Sequence, residues 1–175
     1  MSVGTIVTIV LLMTTLILGL VLVRNIFSGS VENINSIDQA VKNEINKLFA
    51  EDDSRKIVVY PPSRQISIKQ GDEGGFGFSI RNTEDDNGSF TYGVDAVDSS
   101  CEISENEADE LIILGKERSD GIDILSGNSL DQPILVRFNI PESTSLCNIR
   151  YELVVEKNNK QFTSPLTVDL KVLPQ

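Results

Sequence analysis

VGTIVTIVLLMTTLILGLVLV, residues Val3 to Val23, is an apolar run without a charged side chain, and it stops abruptly at Arg24. At about 1.5 Å of rise per helical residue such a run reaches about 30 Å, the thickness of bilayer hydrocarbon. The stretch predicts a transmembrane helix over residues 1–25, and the rest of the chain is read outward from it. The run is too long for the apolar core of a secretory signal, and it lacks a basic n-region and a small-x-small cleavage site, so the helix is expected to be retained. Gly4, Thr8, Thr15 and Gly19 fall within an arc of about 60° at about 100° per residue. Small residues let helix backbones approach closely, which predicts packing and self-association through this helix. The competing reading is that Gly and Thr are ordinary in spanning helices.

Ser28-Gly29-Ser30 breaks the run, and residues 26–50 then read as an amphipathic stalk helix. Phe27, Val31, Ile34, Val41, Ile45 and Leu48 form a heptad-like seam, interrupted by Asp38. Two outcomes stay open: a parallel bundle of several chains, or a helix packed on its own β-domain. Residues 51–56 are a charged connector, after which the hydrophobic period changes from helical to two.

From residue 57 to 175 short strand signals alternate with turn signals. KIVVY stops at Pro61-Pro62, QISIK alternates Ile66 and Ile68, and Phe76, Phe78 and Ile80 share one face. Phe90, Tyr92, Val94 and Ala96 follow at spacing two. Asn87-Gly88 between these last two runs predicts a hairpin that pairs them antiparallel. Ser104 and Glu107 have capping-box spacing ahead of Leu111-Ile112-Ile113-Leu114. Three more alternating runs, Pro133 to Ile140, Cys147 to Val155 and Gln161 to Leu173, bring the count to about eight strands, the pattern of an antiparallel sandwich.

The 175 residues carry 15 basic and 26 acidic side chains, a formal charge of -11. That balance argues against nucleic acid and anionic lipid head groups as partners. The absence of His removes the usual general base and neutral metal ligand. Cys101 and Cys147 fit no zinc spacing and read as a disulfide of an extracytoplasmic domain, tying opposite parts of the sandwich; the competing reading is two buried thiols in the cytoplasm. Charge near the apolar run hardly discriminates its orientation. The cysteine pair and the sequon Asn87-Gly88-Ser89, a candidate glycosylation acceptor, place the C-terminal domain outside the cell.

No stretch carries recognisable chemistry. GDEGGFGF, Gly71 to Phe78, has clustered glycines but no following helix to cradle a phosphate, and reads as a turn with a bulge. Asp85-Asp86-Asn87-Gly88 has Val94 where a calcium loop needs its acidic ligand. Glu102, Glu105, Glu107, Asp109 and Glu110 read as a solvated loop. No catalytic residue, metal site or cofactor is expected.

Ser67-Ile68-Lys69-Gln70-Gly71-Asp72 with Phe78-Ser79-Ile80-Arg81-Asn82-Thr83, and Arg137-Phe138-Asn139-Ile140-Pro141-Glu142 with Tyr151-Glu152-Leu153-Val154-Val155, resemble the immunoglobulin-like modules of archaeal and bacterial surface proteins. The resemblance spans roughly Ile57 to Val172. The overall plan is similar to archaeal type IV pilin-like subunits and archaellum-associated anchor proteins. It implies an N-terminal transmembrane α-helix continuing into an amphipathic stalk helix, then an all-β immunoglobulin-like antiparallel sandwich. The function it implies is a non-catalytic, single-pass cell-surface protein for assembly, adhesion or recognition. Its partners would be the lipid bilayer, further copies of itself, and surface-layer or filament proteins. The alternatives are an extracellular filament whose core is the N-terminal helix, and an accessory subunit of a membrane complex.

Overall fold

The computed structural model describes residues 4–5, 7, 11–19, 41–52 and 54–175. The chain divides into two compact units, Met1–Ala40 and Val41–Gln175. In the first, residues 4–5, 7 and 11–19 are helical. The Thr14 hydroxyl donates to the Leu11 carbonyl at 2.9 Å, and that of Thr15 to the Leu11 and Leu12 carbonyls at 3.1 and 3.0 Å, so these polar groups are satisfied within the helix itself.

One part of the expected fold is corrected here. Among the described residues no helix is long and apolar enough to cross a membrane, so the described fold does not contain the transmembrane helix expected over residues 1–25. The described helical run 11–19 extends about 14 Å, roughly half the thickness of bilayer hydrocarbon. Gly4, Thr15 and Gly19 of the small-residue stripe lie in described helical residues. Thr8, and Phe27, Val31 and Ile34 of the stalk seam, lie outside the described residues.

The second unit opens with helix α1, residues 41–51. Val41, Ile45 and Leu48 recur at helical spacing on one face. Together with Phe49 they are buried against Val58, Tyr60 and Leu135, so this half of the seam packs on its own β-domain. Burying each such side chain is worth about 2 kcal/mol. Gly77 makes the approach close, because a Cβ there would collide with Val41. At the end of α1 the Arg81 guanidinium lies 4.5 Å from the Phe49 ring centroid and donates to the Phe49 carbonyl at 3.4 Å, a cation placed at the negative pole of the helix.

Ten strands follow: β1 (Ile57–Tyr60), β2 (Gln65–Lys69), β3 (Glu73–Ile80), β4 (Gly88–Ser99), β5 (Ile112–Leu114), β6 (Glu117–Ile124), β7 (Ile134–Asn139), β8 (Asn148–Lys157), β9 (Lys160–Gln161) and β10 (Leu166–Leu173). A short helix α2 (Glu105–Glu110) interrupts them after β4. They form two sheets, one in the order β1-β3-β7-β5 and the other β2-β10-β8-β4-β6, with β9 paired to β8. The β-sandwich is as expected. Every pairing is antiparallel except β2 with β10. The period-two residues face inward: Phe76, Phe78 and Ile80 of β3 meet Phe90, Tyr92 and Val94 of β4 in one core with β7, β8 and β10. Phe78 packs edge-on against Tyr92 at 5.1 Å, and Phe138 lies 4.8 Å from Tyr151, so aromatic rings bridge the two sheets.

Two local expectations fail. β3 and β4 do not pair as a hairpin: β3 lies between β1 and β7, and β4 between β6 and β8. An Asn-Gly hairpin turn of type I′ needs positive φ at both residues, and neither Asn87 nor Gly88 has it. Asn158 and Asn159 do, with φ of 50° and 62°, and they make the tight turn between β8 and β9. The cysteines also tie neighbours, not opposites. Cys101 follows the end of β4 and Cys147 precedes the start of β8, two strands paired along their length.

Candidate functional site

The most structured polar cluster lies where the chain crosses from β3 to β4. Lys157 occupies the last inward position of β8, its side chain 6% exposed. Its ammonium donates to Asp86 Oδ1 at 2.7 Å, Glu84 Oε2 at 2.9 Å, the Asp86 carbonyl at 3.0 Å and Asn82 Oδ1 at 3.3 Å. Gly88 leaves room for the Lys157 stem, where any Cβ would collide. Asn82, fully buried, donates through Nδ2 to the carbonyls of Asp86 at 2.7 Å and Ile124 at 3.0 Å. Burial pulls the Lys157 ammonium toward a lower pKa, but the bonds it donates to Asp86 and Glu84, with their charges, outweigh that and leave it above the usual value. The same bonds hold the Glu84 and Asp86 carboxyls below theirs. The arrangement keeps every charge paired. It clamps a crossover and offers no free nucleophile or base.

Asn87, the sequon residue, sits on the exposed side of this clamp. Its Oδ1 accepts from the Ser126 N–H at 3.0 Å, and the Ser126 hydroxyl donates to the Glu84 carbonyl at 2.7 Å. The side-chain amide is therefore anchored through its oxygen.

At the other end of β4 the disulfide joins Cys101 and Cys147 with their Cα atoms 5.1 Å apart. Beside it Ser100 and Asn148 exchange hydrogen bonds of 2.9 to 3.1 Å. The acidic stretch that follows is divided among structural tasks. Glu107 accepts from the Ser104 N–H and hydroxyl, both at 2.8 Å, completing the capping box of α2. Asp109 accepts from the Ala96 N–H at 2.7 Å and from Lys116 Nζ at 3.0 Å. The buried Tyr151 hydroxyl donates to the Ala108 carbonyl at 2.7 Å, with burial and then Asp109 raising its pKa. Among the described residues no group of three acidic, cysteine or histidine side chains is placed to hold a metal ion. Gly71 to Phe78 runs largely within β3 and forms no phosphate cradle.

No protein family model matches the chain, and no curated protein sequence matches it. Several solved structures are similar. One is a family 123 glycoside hydrolase from Clostridium perfringens, at 13% identity and a TM-score of 0.44; the match takes in 64% of this chain and 23% of the hydrolase's length. Another is a PapD-like domain of human CEP192, at 9% identity and 0.37, covering 69% of this chain and 85% of that domain. A third is a type I cohesin–dockerin complex from Clostridium thermocellum, at 13% identity and 0.34, covering 69% of this chain and 98% of that one. Similarities of this size carry no argument about activity.

What distinguishes the surface is its apolar residues. Val7, Leu11, Leu12, Met13, Leu16, Ile17 and Leu18 of the first unit are 52 to 68% exposed. A Cβ on Gly19 would meet nothing within 4 Å. On the sandwich, Ile113 and Leu114 of β5 are 50% and 53% exposed.

Proposed function

We propose that the protein is a non-catalytic assembly subunit of the extracytoplasmic surface, an immunoglobulin-like sandwich whose apolar N-terminal segment is buried by the same segment of other copies. The observation that carries the reading is the exposure of every large apolar side chain from Leu11 to Leu18, a run interrupted only by Thr14 and Thr15. A helix apolar all round is stable only inside a larger apolar body, and an identical neighbour supplies one. Thr15 and Gly19 supply the small side chains that close packing needs. The Cys101–Cys147 bond supports an oxidising compartment. The resemblance in plan to type IV pilin-like subunits fits an assembly of this kind.

The test is cross-linking of the full chain. A Leu16→Cys variant treated with a short bis-maleimide, which joins the one free thiol of each of two chains, should be converted to covalent dimers, and a Ser67→Cys variant on the sandwich surface should not. Electron microscopy of the same sample should show regular particles or filaments. Monomers in dilute buffer, or amorphous aggregate without regular particles, would defeat the proposal.

A further inference from the structure

The outer N–H and C=O groups of an edge strand are open to pairing unless something guards them. β6 carries Glu117, Arg118, Asp120 and Asp123 on its edge, and β5 is three residues long with a register shift between Ile112 and Leu114. β1 differs from both because its edge lines a cleft. The Arg81 N–H donates to the Lys56 carbonyl at 2.8 Å, which makes Lys56/Arg81, Val58/Ser79 and Tyr60/Gly77 the bonded pairs along β1 and β3. The N–H and C=O groups of Ile57 and Val59 therefore point away from β3, and among the described residues nothing pairs with them. Both residues line a cleft of about 500 Å³, which Leu48 of α1 and Leu166 at the start of β10 also line. Val59 is 6% exposed, so its outward main-chain groups gain a partner only from something that enters the cleft.

The rim of this cleft is cationic, in a chain with a formal charge of -11. Arg55 and Arg64 line it, and among the described residues no Asp or Glu does. Asp52 takes only Nε of Arg55, at 3.2 Å, which leaves the two terminal amino groups of that guanidinium uncommitted among the described residues. Arg64 has no ion pair among the described residues. It is held at a φ of 55°, a strained backbone for so large a side chain. Its N–H donates to the Pro61 carbonyl and its carbonyl accepts from the Asp169 N–H, both at 2.9 Å.

We propose that the cleft takes up an extended acidic peptide of another protein, which adds to the open edge of β1 as a further strand. The peptide main chain bonds Ile57 and Val59, its apolar side chains cover Leu48 and Leu166, and its carboxylates bind Arg55 and Arg64. A small anion would use the arginines and leave the row of main-chain groups unpaired. A neutral strand would do the reverse. An acidic strand satisfies both. The cleft belongs wholly to the unit Val41–Gln175, so this contact does not depend on association of the N-terminal segments.

The test is fluorescence anisotropy of a fluorescein-labelled peptide, Asp-Ile-Thr-Val-Thr-Ile-Glu, titrated with the full chain. Acid at both ends lets either strand direction meet an arginine. Binding should saturate, and it should be lost when the two acidic residues are replaced by lysine. It should also be lost when alternate peptide nitrogens are methylated, which keeps the charges and removes the strand donors. Arg64→Gly relaxes the positive φ, so it should keep or raise the melting temperature while weakening binding about tenfold, the size of one lost charge-assisted bond. Absence of saturable binding at millimolar peptide would overturn the proposal. So would equal binding of the methylated peptide, or an unchanged affinity in Arg64→Gly. Displacement by millimolar inorganic phosphate would overturn it as well, since it marks a plain anion site. None of these outcomes touches the Leu16→Cys cross-link, so the assembly reading stands or falls separately.

Discussion

Replacing both cysteines, Cys101→Ala with Cys147→Ala, tests how much of the sandwich depends on its one covalent staple. The bond spans 46 residues of sequence. Cross-linking a loop of that length removes about 13 to 14 cal/mol/K of entropy from the unfolded chain, or about 4 kcal/mol at 25 °C. The native side should change little. Ser100 and Asn148 hold the same two strand ends by backbone and side-chain bonds, and β4 stays paired with β8 along its length without help from sulfur. Nearly all of the effect should therefore lie in the unfolded state. For a unit of about 135 residues, with an unfolding entropy of about 2.1 cal/mol/K per residue, 4 kcal/mol corresponds to a fall of about 14 °C in melting temperature. Urea unfolding of the full chain followed by far-ultraviolet circular dichroism should show a lower midpoint together with a steeper slope, because the uncrossed chain exposes more surface when unfolded. A loss below about 1 kcal/mol with an unchanged slope would refute the reasoning and show the reduced chain to be held compact by something other than this bond.

Gly77→Leu would drive a side chain into Val41 of α1, and should cost about 1 to 3 kcal/mol by overpacking; Ile45→Ala, which empties the same interface, should cost about 2 to 5 kcal/mol, both read from urea midpoints. Tyr151→Phe removes the hydroxyl from the Ala108 carbonyl, which keeps the Leu111 N–H at 3.2 Å, and should cost about 0.5 to 1.5 kcal/mol with the core otherwise intact. Glu84 and Asp86 titrate below their ordinary values of 4.5 and 3.8 because Lys157 bonds their charged forms. Their stabilisation is thus complete above those values and is lost as the pH falls through the lower folded-state values. Melting temperature should drop on acidification below about pH 4.5, and Glu84→Gln with Asp86→Asn should flatten that drop; an unchanged acid profile would show the clamp to be inert. Mass spectrometry of the protein from its native host should find a glycan on Asn87, since its Oδ1 alone is committed to Ser126, and Ser89→Ala should remove it; an unmodified mass at Asn87 would contradict this.

The strands were legible because each buries one face, and the alternation of Phe, Val, Ile and Leu registers that directly. What misled was punctuation. Asn87-Gly88 carries the residues of a tight hairpin, yet the loop is shaped by the nearby Asn82 beneath it and by two partners remote in sequence, Ser126 beside it and Lys157 under its end. A signal for Lys157 was present. The inward phase of Cys147, Ile149, Tyr151, Leu153 and Val155 continues to residue 157, and a lysine on that phase must find buried acceptors. The seam of Val41, Ile45 and Leu48 was equally visible, but periodicity alone does not say what an apolar face meets. The answer lies in Gly77, a mid-strand glycine whose missing Cβ lets Val41 approach. The apolar run at 3 to 23 announces itself by length and hydropathy, and neither property specifies which apolar surroundings receive it.

The placement of α1 bears on how copies could meet. By covering β1, β3 and part of β7, the helix seals the outer face of one sheet over Val58, Tyr60 and Leu135, so that face is closed to partners. The strand it leaves uncovered is β5, next in order after β7, and β5 carries the half-exposed Ile113 and Leu114. β5 is only three residues long and its register shifts between Ile112 and Leu114, and a short, bulged edge offers little backbone to pair with, so the sheet is guarded on this side by geometry where β6 is guarded by charge.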